Sequence, residues 1–152
     1  MKKQFPTTRI LLLIILLAVV PPNFLFPLDP SGAAKFYQHH AWTTTDGLPV
    51  NTVSSIAQTP DGFLWLGTEK GLARFDGVRF DVFDGDNTPA FSTGYILCLE
   101  TDAAGNLWIG SGGGGVYRYA GGKFTVFTAA GGLAGDHVYT LRASRDGSVW
   151  VG

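Results

Sequence analysis

The chain has 152 residues, enough for one domain or a piece of one. A formal net charge of −1 with only 15% charged residues leaves no basic footprint, so nucleic acid is excluded as a partner. The single cysteine, Cys98, excludes an internal disulfide, and within the apolar run Tyr95-Ile96-Leu97-Cys98-Leu99 it reads as a small buried hydrophobe rather than a reactive thiol.

Residues 1–34 read as an address rather than as fold. Lys2, Lys3 and Arg9 give a positive start, and Ile10 to Val20 is an unbroken apolar run. That run suits a secretory signal and is short for a membrane span. Pro21-Pro22 ends any helix there. Gly32-Ala33-Ala34 supplies small residues for cleavage; an uncleaved signal anchor, lengthened by Phe24 to Leu28, is the alternative. No cysteine follows the apolar run, which argues against a lipoprotein anchor. Either way the remainder is expected to be exported.

From residue 35 onward the pattern is one of short strands. Phe36 to Thr43 reads as an aromatic strand, followed by Thr52 to Gln58, Phe63 to Gly67, Leu72 to Phe75 and Val78 to Phe83. Turns fall at Pro60-Asp61-Gly62 and Asp76-Gly77, and Asp-Gly favours hairpin turns with positive φ. No segment with helical periodicity interrupts them.

These strands repeat. Asp61-Gly62-Phe63-Leu64-Trp65-Leu66-Gly67-Thr68 returns as Gly105-Asn106-Leu107-Trp108-Ile109-Gly110-Ser111 and as Asp146-Gly147-Ser148-Val149-Trp150-Val151-Gly152. Counting back from each Trp, position −17 holds Leu48, Phe91 and Leu133, and position −12 holds Val53, Ile96 and Val138. Position −9 holds Ile56, Leu99 and Leu141. Trp42 stands six before Leu48 as Phe127 stands six before Leu133, so it marks the last strand of an incomplete preceding unit. Four short strands per unit of roughly 40 residues define a propeller blade. The expected fold is all-β: a β-propeller fragment of about two and a half four-stranded antiparallel blades after an N-terminal signal or anchor helix. The blade units lie near 46–84, 87–128 and 131–152, the last stopping in mid-motif as in the N-terminal fragment of a larger protein. Trp65, Trp108 and Trp150 are expected to plug the spaces between blades, and the following glycines to admit close backbone approach.

The motifs Asp46-Gly47-Leu48-Pro49-Val50-Asn51, Leu64-Trp65-Leu66-Gly67-Thr68 and Lys70-Gly71-Leu72-Ala73-Arg74-Phe75 resemble the two-component regulator propeller repeat. The second unit departs from it, with Thr88-Pro89-Ala90-Phe91 in place of Gly-Leu-Pro and Ala104 in place of the turn Asp. The third has Ala134-Gly135-Asp136 where Pro-x-Asn is usual. The resemblance, with the export signal, implies an extracytoplasmic sensor on the periplasmic side, belonging to an inner-membrane-anchored bacterial histidine kinase, hybrid kinase or diguanylate cyclase, a homodimer when full-length, whose output domain lies outside these residues.

No catalytic constellation, metal set or cofactor motif is identified. Gly112 to Gly115 lacks the helix and the Lys-Ser/Thr pair of a phosphate loop, and Asp81, Asp84, Asp86 and Asn87 lack the order of a calcium loop. His39 and His40 are adjacent and on a strand would point to opposite faces. In a four-stranded meander the inter-blade loops and the second-to-third-strand loops share one rim. Loops on a rigid scaffold tend to carry binding residues. The ligand-binding candidates are therefore Asn51, Glu69, Lys70, Tyr95, Asp136 and His137, each of which also suits an ordinary turn or cap. The partners expected are a small-molecule or oligosaccharide ligand and the remaining blades of the full-length chain. The competing function is an exported propeller enzyme, lyase-like, or an interaction scaffold. A phosphatase reporter fused after Pro49 should be active outside the cytoplasm; cytoplasmic retention of the fusion would contradict the export reading and the sensor reading with it.

Overall fold

The computed structural model describes residues 39–152. The address segment and residues 36–38 of the first expected strand lie outside them. Ala41–Gly152 is one compact unit. Its strands are β1 (Val53–Gln58), β2 (Leu64–Thr68), β3 (Gly71–Phe75), β4 (Phe80–Phe83), β5 (Ile96–Thr101), β6 (Leu107–Ser111), β7 (Val116–Ala120), β8 (Lys123–Phe127), β9 (Leu141–Ala143) and β10 (Val149–Val151). They form two four-stranded antiparallel meanders, β1-β2-β3-β4 and β5-β6-β7-β8, and a third, two-stranded sheet of β9 and β10. Two full propeller blades and the first half of another are thus present.

The register repeats with the sequence. Trp65 pairs across to Arg74 and Trp108 to Arg118, each on the third strand of its blade. The first strand is bulged at the same place in both blades, between Val53 and Ser55 and between Ile96 and Cys98. The bulge faces a glycine two residues after the Trp. A Cβ on Gly67 would sit 2.8 Å from Ile96 Cγ2, and one on Gly110 would sit 2.7 Å from Val138 Cγ1. The glycine therefore admits the inner strand of the following blade, which no side chain would allow.

Two sequence-based strands end differently. His39–Thr43 form no strand, and Thr44–Asp46 make a 3-10 turn closed by a reciprocal Thr43–Asp46 capping box. A fourth strand needs a third strand to bond to, and none of the described residues supplies one for Trp42. The strand expected from Val78 starts at Phe80, because Asp76 Oδ1 accepts both Val78 N–H and Arg79 N–H at 2.8 Å and widens the hairpin. Gly77 keeps the positive φ of +100°.

The core lies between blades, not within them. Trp65, Leu72, Phe91, Ile96, Leu99, Leu107, Ile109 and Tyr117 form one buried cluster across the first two blades. Trp65 is fully buried against Phe83 of its own blade and Tyr119 of the next, at ring distances of 5.8 and 4.9 Å. Its flanking residues turn the other way, so in the second blade Leu107 and Ile109 are both fully buried toward the first. A second cluster joins Val116, Val138 and Leu141, with Trp108 half-buried beside them. Trp150, against which no blade of the described residues packs, is 69% exposed.

The burial of the repeated Trp is thus conferred by the next blade. In the chain of residues 1–152, Trp65→Ala should cost about 3–5 kcal/mol, the usual penalty for a large buried aromatic, whereas Trp150→Ala should stay within about 0.5 kcal/mol. Urea unfolding of the two variants measures this, and equal costs would contradict it.

Candidate functional site on the loop-bearing rim

The meander places the β2–β3, β4–β5 and β6–β7 loops on one rim, together with the segment that leads into β9. The hydroxyl that ends each Trp strand builds this rim. Thr68 Oγ1, fully buried, donates to Gly71 O at 2.7 Å and accepts Lys70 N–H. Ser111 Oγ donates to Gly115 O at 2.8 Å and accepts Gly114 N–H. The first arrangement folds the loop tightly and leaves the Glu69 and Lys70 side chains exposed.

Three of the candidate residues converge on the glycine loop Gly112–Gly115. Tyr95 and His137 occupy one repeat position, thirteen before Trp108 and Trp150. The Tyr95 ring lies against Gly112, where a Cβ would sit 2.6 Å from its Cδ1. The His137 imidazole covers Gly113, where a Cβ would sit 3.5 Å from its Cε1. Main-chain bonds fix both: Gly112 N–H donates to Tyr95 O at 2.8 Å, and Gly112 and His137 form a β-bridge. Gly113 and Gly115 N–H both donate to Asp136 O, at 3.0 and 2.9 Å. Lys70 adjoins this group through Gly94, whose Cβ position lies 3.2 Å from the Lys70 carbonyl carbon.

Asn51 and Asp136 share another repeat position, and their side chains hold loops. Asn51 Oδ1 accepts Thr44 N–H at 2.9 Å and Asp136 Oδ1 accepts Ala129 N–H at 2.7 Å, each securing a 3-10 turn. Asn51 stands apart from the glycine loop, at the first blade. Tyr95 is 48% exposed and Tyr139, absent from the sequence-derived candidates, is 70% exposed two residues beyond His137. Counting positions back from the Trp would have paired Tyr95 with His137; nothing in the sequence marked Gly112 as the floor on which Tyr95 rests.

The opposite rim holds the turns, and there the indole N–H of each Trp is tied to the residue six positions earlier. Trp65 Nε1 donates to Thr59 Oγ1 at 2.9 Å, Trp108 Nε1 to Asp102 Oδ2 at 2.8 Å, and Trp150 Nε1 to Ser144 Oγ at 3.1 Å. Where the acceptor is a hydroxyl, an aspartate stands two residues later, Asp61 or Asp146. Where it is Asp102, that place is Ala104. Asp102 also accepts from Ala104 N–H, Asn106 N–H and Asn106 Nδ2. Partial burial acts to raise its pKa, but the bonds from Trp108, Asn106 and Ala104 outweigh that and hold it below the ordinary carboxylate value. A recess of about 530 Å³ beside it is lined by Asn106, Arg118, Arg145 and Asp146 among others.

Other polar groups are engaged locally. Asp84 Oδ1 accepts Asp86 and Asn87 N–H, and Asn87 Nδ2 donates to Val82 O, so the acidic loop caps itself. Among the described residues no group of three His, Cys, Asp or Glu is placed to hold a metal ion. Burial pushes the Cys98 thiol up to about 11, against the opposing effect of Gly110 N–H. Arg74 lies over the Phe63 ring at 4.5 Å and pairs with Asp81 at 2.7 Å.

Repeated four-stranded meanders, each burying a Trp against the next and gathering their longer loops on one rim, define the class as a β-propeller. A family model is similar to part of each full blade. The two component regulator propeller matches residues 47–70 and 90–113, in each case the inter-blade loop, the first two strands and the start of the following loop. Each full blade thus holds one stretch similar to that repeat. Among solved structures, the extracellular domain of a hybrid two component system from B. thetaiotaomicron superposes over 75% of this chain with a TM-score of 0.66 and 23% identity. The chain spans 16% of that relative's length. The extracellular domain of a one component system from the same organism aligns over 74% of the chain at 19% identity and a TM-score of 0.37, covering 22% of that relative. A search of curated proteins returns no match.

Because the folded pKa of Asp102 is depressed, its contribution to stability is present above the unfolded value of about 3.9 and is lost as pH falls below it. Asp102→Asn should therefore lower stability by about 1–3 kcal/mol at pH 7 and flatten the acid limb of a pH–stability curve. Combining Asp102→Thr with Ala104→Asp should restore the loss by installing the first blade's arrangement. An unchanged acid limb in Asp102→Asn would refute this account.

Proposed function

We propose that the chain is a ligand-sensing propeller module on the extracytoplasmic side of a bacterial signal-transduction protein. In this reading the full-length protein is a membrane-anchored homodimer with a sensor histidine kinase or diguanylate cyclase as output. The observation that carries the reading is the convergence of Tyr95, Asp136 and His137 on the Gly112–Gly115 loop, held there by main-chain bonds. Such a rim keeps its shape while the side chains of Tyr95 and His137 stay available to a ligand, that of Asp136 being engaged with Ala129 N–H. The family repeat supports the sensor role, and the apolar Ile10 to Val20 run supports export.

The ligand proposed is a small polar molecule or an oligosaccharide. Tyr95 offers a partly exposed ring, with the His137 imidazole one repeat away and Lys70 nearby. Aromatic faces of this kind take the apolar face of a ring while neighbouring donors bind its hydroxyls.

Tyr95→Ala, Lys70→Ala and His137→Ala should each shift stability by no more than about 0.5–1 kcal/mol, as exposed substitutions do. At least one should weaken binding tenfold or more when full-length protein is titrated calorimetrically with a panel of oligosaccharides. The same variant should lose reporter output in cells. If all three variants signal like wild type, the ligand face lies elsewhere.

A further inference from the structure

The segment from Ser92 to Tyr95 carries one of the exposed rings of the loop-bearing rim, and it is held differently from its counterparts in the neighbouring units. Fourteen residues before each Trp stand Asn51, Gly94 and Asp136. The Asn51 and Asp136 side chains each clamp a turn at that point, through Thr44 N–H and Ala129 N–H. Gly94 has no side chain with which to do so. None would fit, because a Cβ there would lie 3.2 Å from both Gly71 N and the Lys70 carbonyl carbon, main-chain atoms of the first blade's loop. The segment that leads into β5 therefore lacks the clamp its neighbours have.

Its support comes from beneath. Tyr117 on β7 is fully buried, with its ring stacked on Phe91 at 4.5 Å. The Tyr117 hydroxyl accepts Ser92 N–H at 3.3 Å and lies 3.2 Å from Ser92 Oγ. In the first blade Ala73 holds the place of Tyr117, each paired across to the residue that follows the Trp. There Pro49, which has no N–H, holds the place of Ser92, sixteen before the Trp. Donor and acceptor are thus present together in the second blade and absent together from the first. The same hydroxyl meets the glycine loop, because a Cβ on Gly114 would fall on it. Gly114 settles over it with its N–H on Ser111 Oγ at 3.0 Å. One buried hydroxyl therefore touches both the segment that carries Tyr95 and the loop on which the Tyr95 ring rests.

We infer that Tyr117 is a positioning residue of this rim: its hydroxyl stands in for the clamp that Gly94 cannot supply and sets Tyr95 against Gly112. Its bearing on recognition rests on the reading of the rim as a ligand face, on which Tyr117 acts through Tyr95 and touches no ligand itself. Without the hydroxyl, Ser92 N–H loses that partner and a gap opens under Gly114, so the two loops loosen while the stacked ring keeps the core closed.

Tyr117→Phe removes the hydroxyl and keeps the ring. Hydrogen exchange of the full-length protein, read by mass spectrometry, should run about three- to tenfold faster over residues 92–95 and 112–115, as for one hydrogen bond lost. Exchange in β2 and β6 should not change. Titrated calorimetrically with the panel of oligosaccharides, the variant should lose affinity about threefold or more for the same sugars as Tyr95→Ala. If Tyr117→Phe unfolds, Ser92→Pro replaces it, removing the donor at an exposed site with the residue that the first blade uses there. Unchanged exchange in the two loops would overturn the inference. So would a rise spread evenly over the blade, which is what a merely structural role produces. Wild-type affinity in Tyr117→Phe, where Tyr95→Ala has lost binding, would overturn it as well. Faster loop exchange with Tyr95→Ala binding like wild type would uphold the positioning role and overturn the ligand-face reading instead.

Discussion

Everything in this structure depends on an indole that its own blade cannot bury. Trp65 lies on β2, its N–H held by Thr59 at the turn behind it, and its ring is covered only when Tyr119 of the second blade arrives. A ring of this size removes about 150–250 Å² from water, worth about 4–6 kcal/mol at 25 cal/mol per Å². The three Trp residues form a series within one chain: fully buried Trp65, half-buried Trp108 and largely exposed Trp150 follow the amount of blade placed after each. Stability here belongs to blade pairs, as in arrays whose energy resides in nearest-neighbour interfaces.

That dependence gives each blade a direction. The second strand puts Trp on its forward face and two aliphatic residues on its rear face, so Trp65 faces the second blade while Leu64 and Leu66 line an apolar recess with Trp42 and Phe75. Gly67 and Gly110 set the spacing by letting Ile96 and Val138 come close. Hydrogen bonds follow the same step: Ser54 Oγ donates to Ile96 O at 2.7 Å, Ser55 Oγ accepts Leu99 N–H, and Glu100 Oε1 accepts Ala143 N–H. Because front and rear differ, blades can add only in one sense.

Much of this was legible because the repeat is its own alignment. The spacing from Leu48 through Val53 to Trp65 recurs in the next two units, and a pattern that recurs at fixed offsets reports burial without any relative for comparison. The strand boundaries near Asp76 were less legible, since whether Asp-Gly makes a two-residue or a wider turn depends on which N–H groups Asp76 accepts. The strand expected at Phe36 to Thr43 failed in its described part for a different reason. Its residues suit a strand, but a strand exists only with a partner, and the partner is not encoded locally. The rim candidates were placed by topology, which located Glu69, Lys70, Tyr95 and His137 on one side. The topology could not separate Asn51 and Asp136, whose side chains hold 3-10 turns, from Tyr95 and His137, whose side chains hold nothing of that kind.

The turns of the opposite rim show how far chemistry can vary while a constraint is kept. Each Trp needs an acceptor six residues earlier, and each turn needs an acceptor for its own N–H groups. The third unit divides the two tasks between Ser144 and Asp146, whose Oδ1 accepts Ser148 N–H, whereas in the first unit Asp61 instead accepts the hydroxyl of Thr59, the residue that takes the indole N–H. The second unit gives both to Asp102 and leaves Ala104 at the other position. What is fixed is the hydrogen bond, not the residue. The loop-bearing rim extends the same logic, because its shape is set by main-chain bonds around Gly112–Gly115 and by the hydroxyls of Thr68 and Ser111. Side chains relieved of structural work, such as those of Tyr95, His137 and Lys70, are the ones a propeller can change at little cost to its fold, and recognition is therefore most economically placed there.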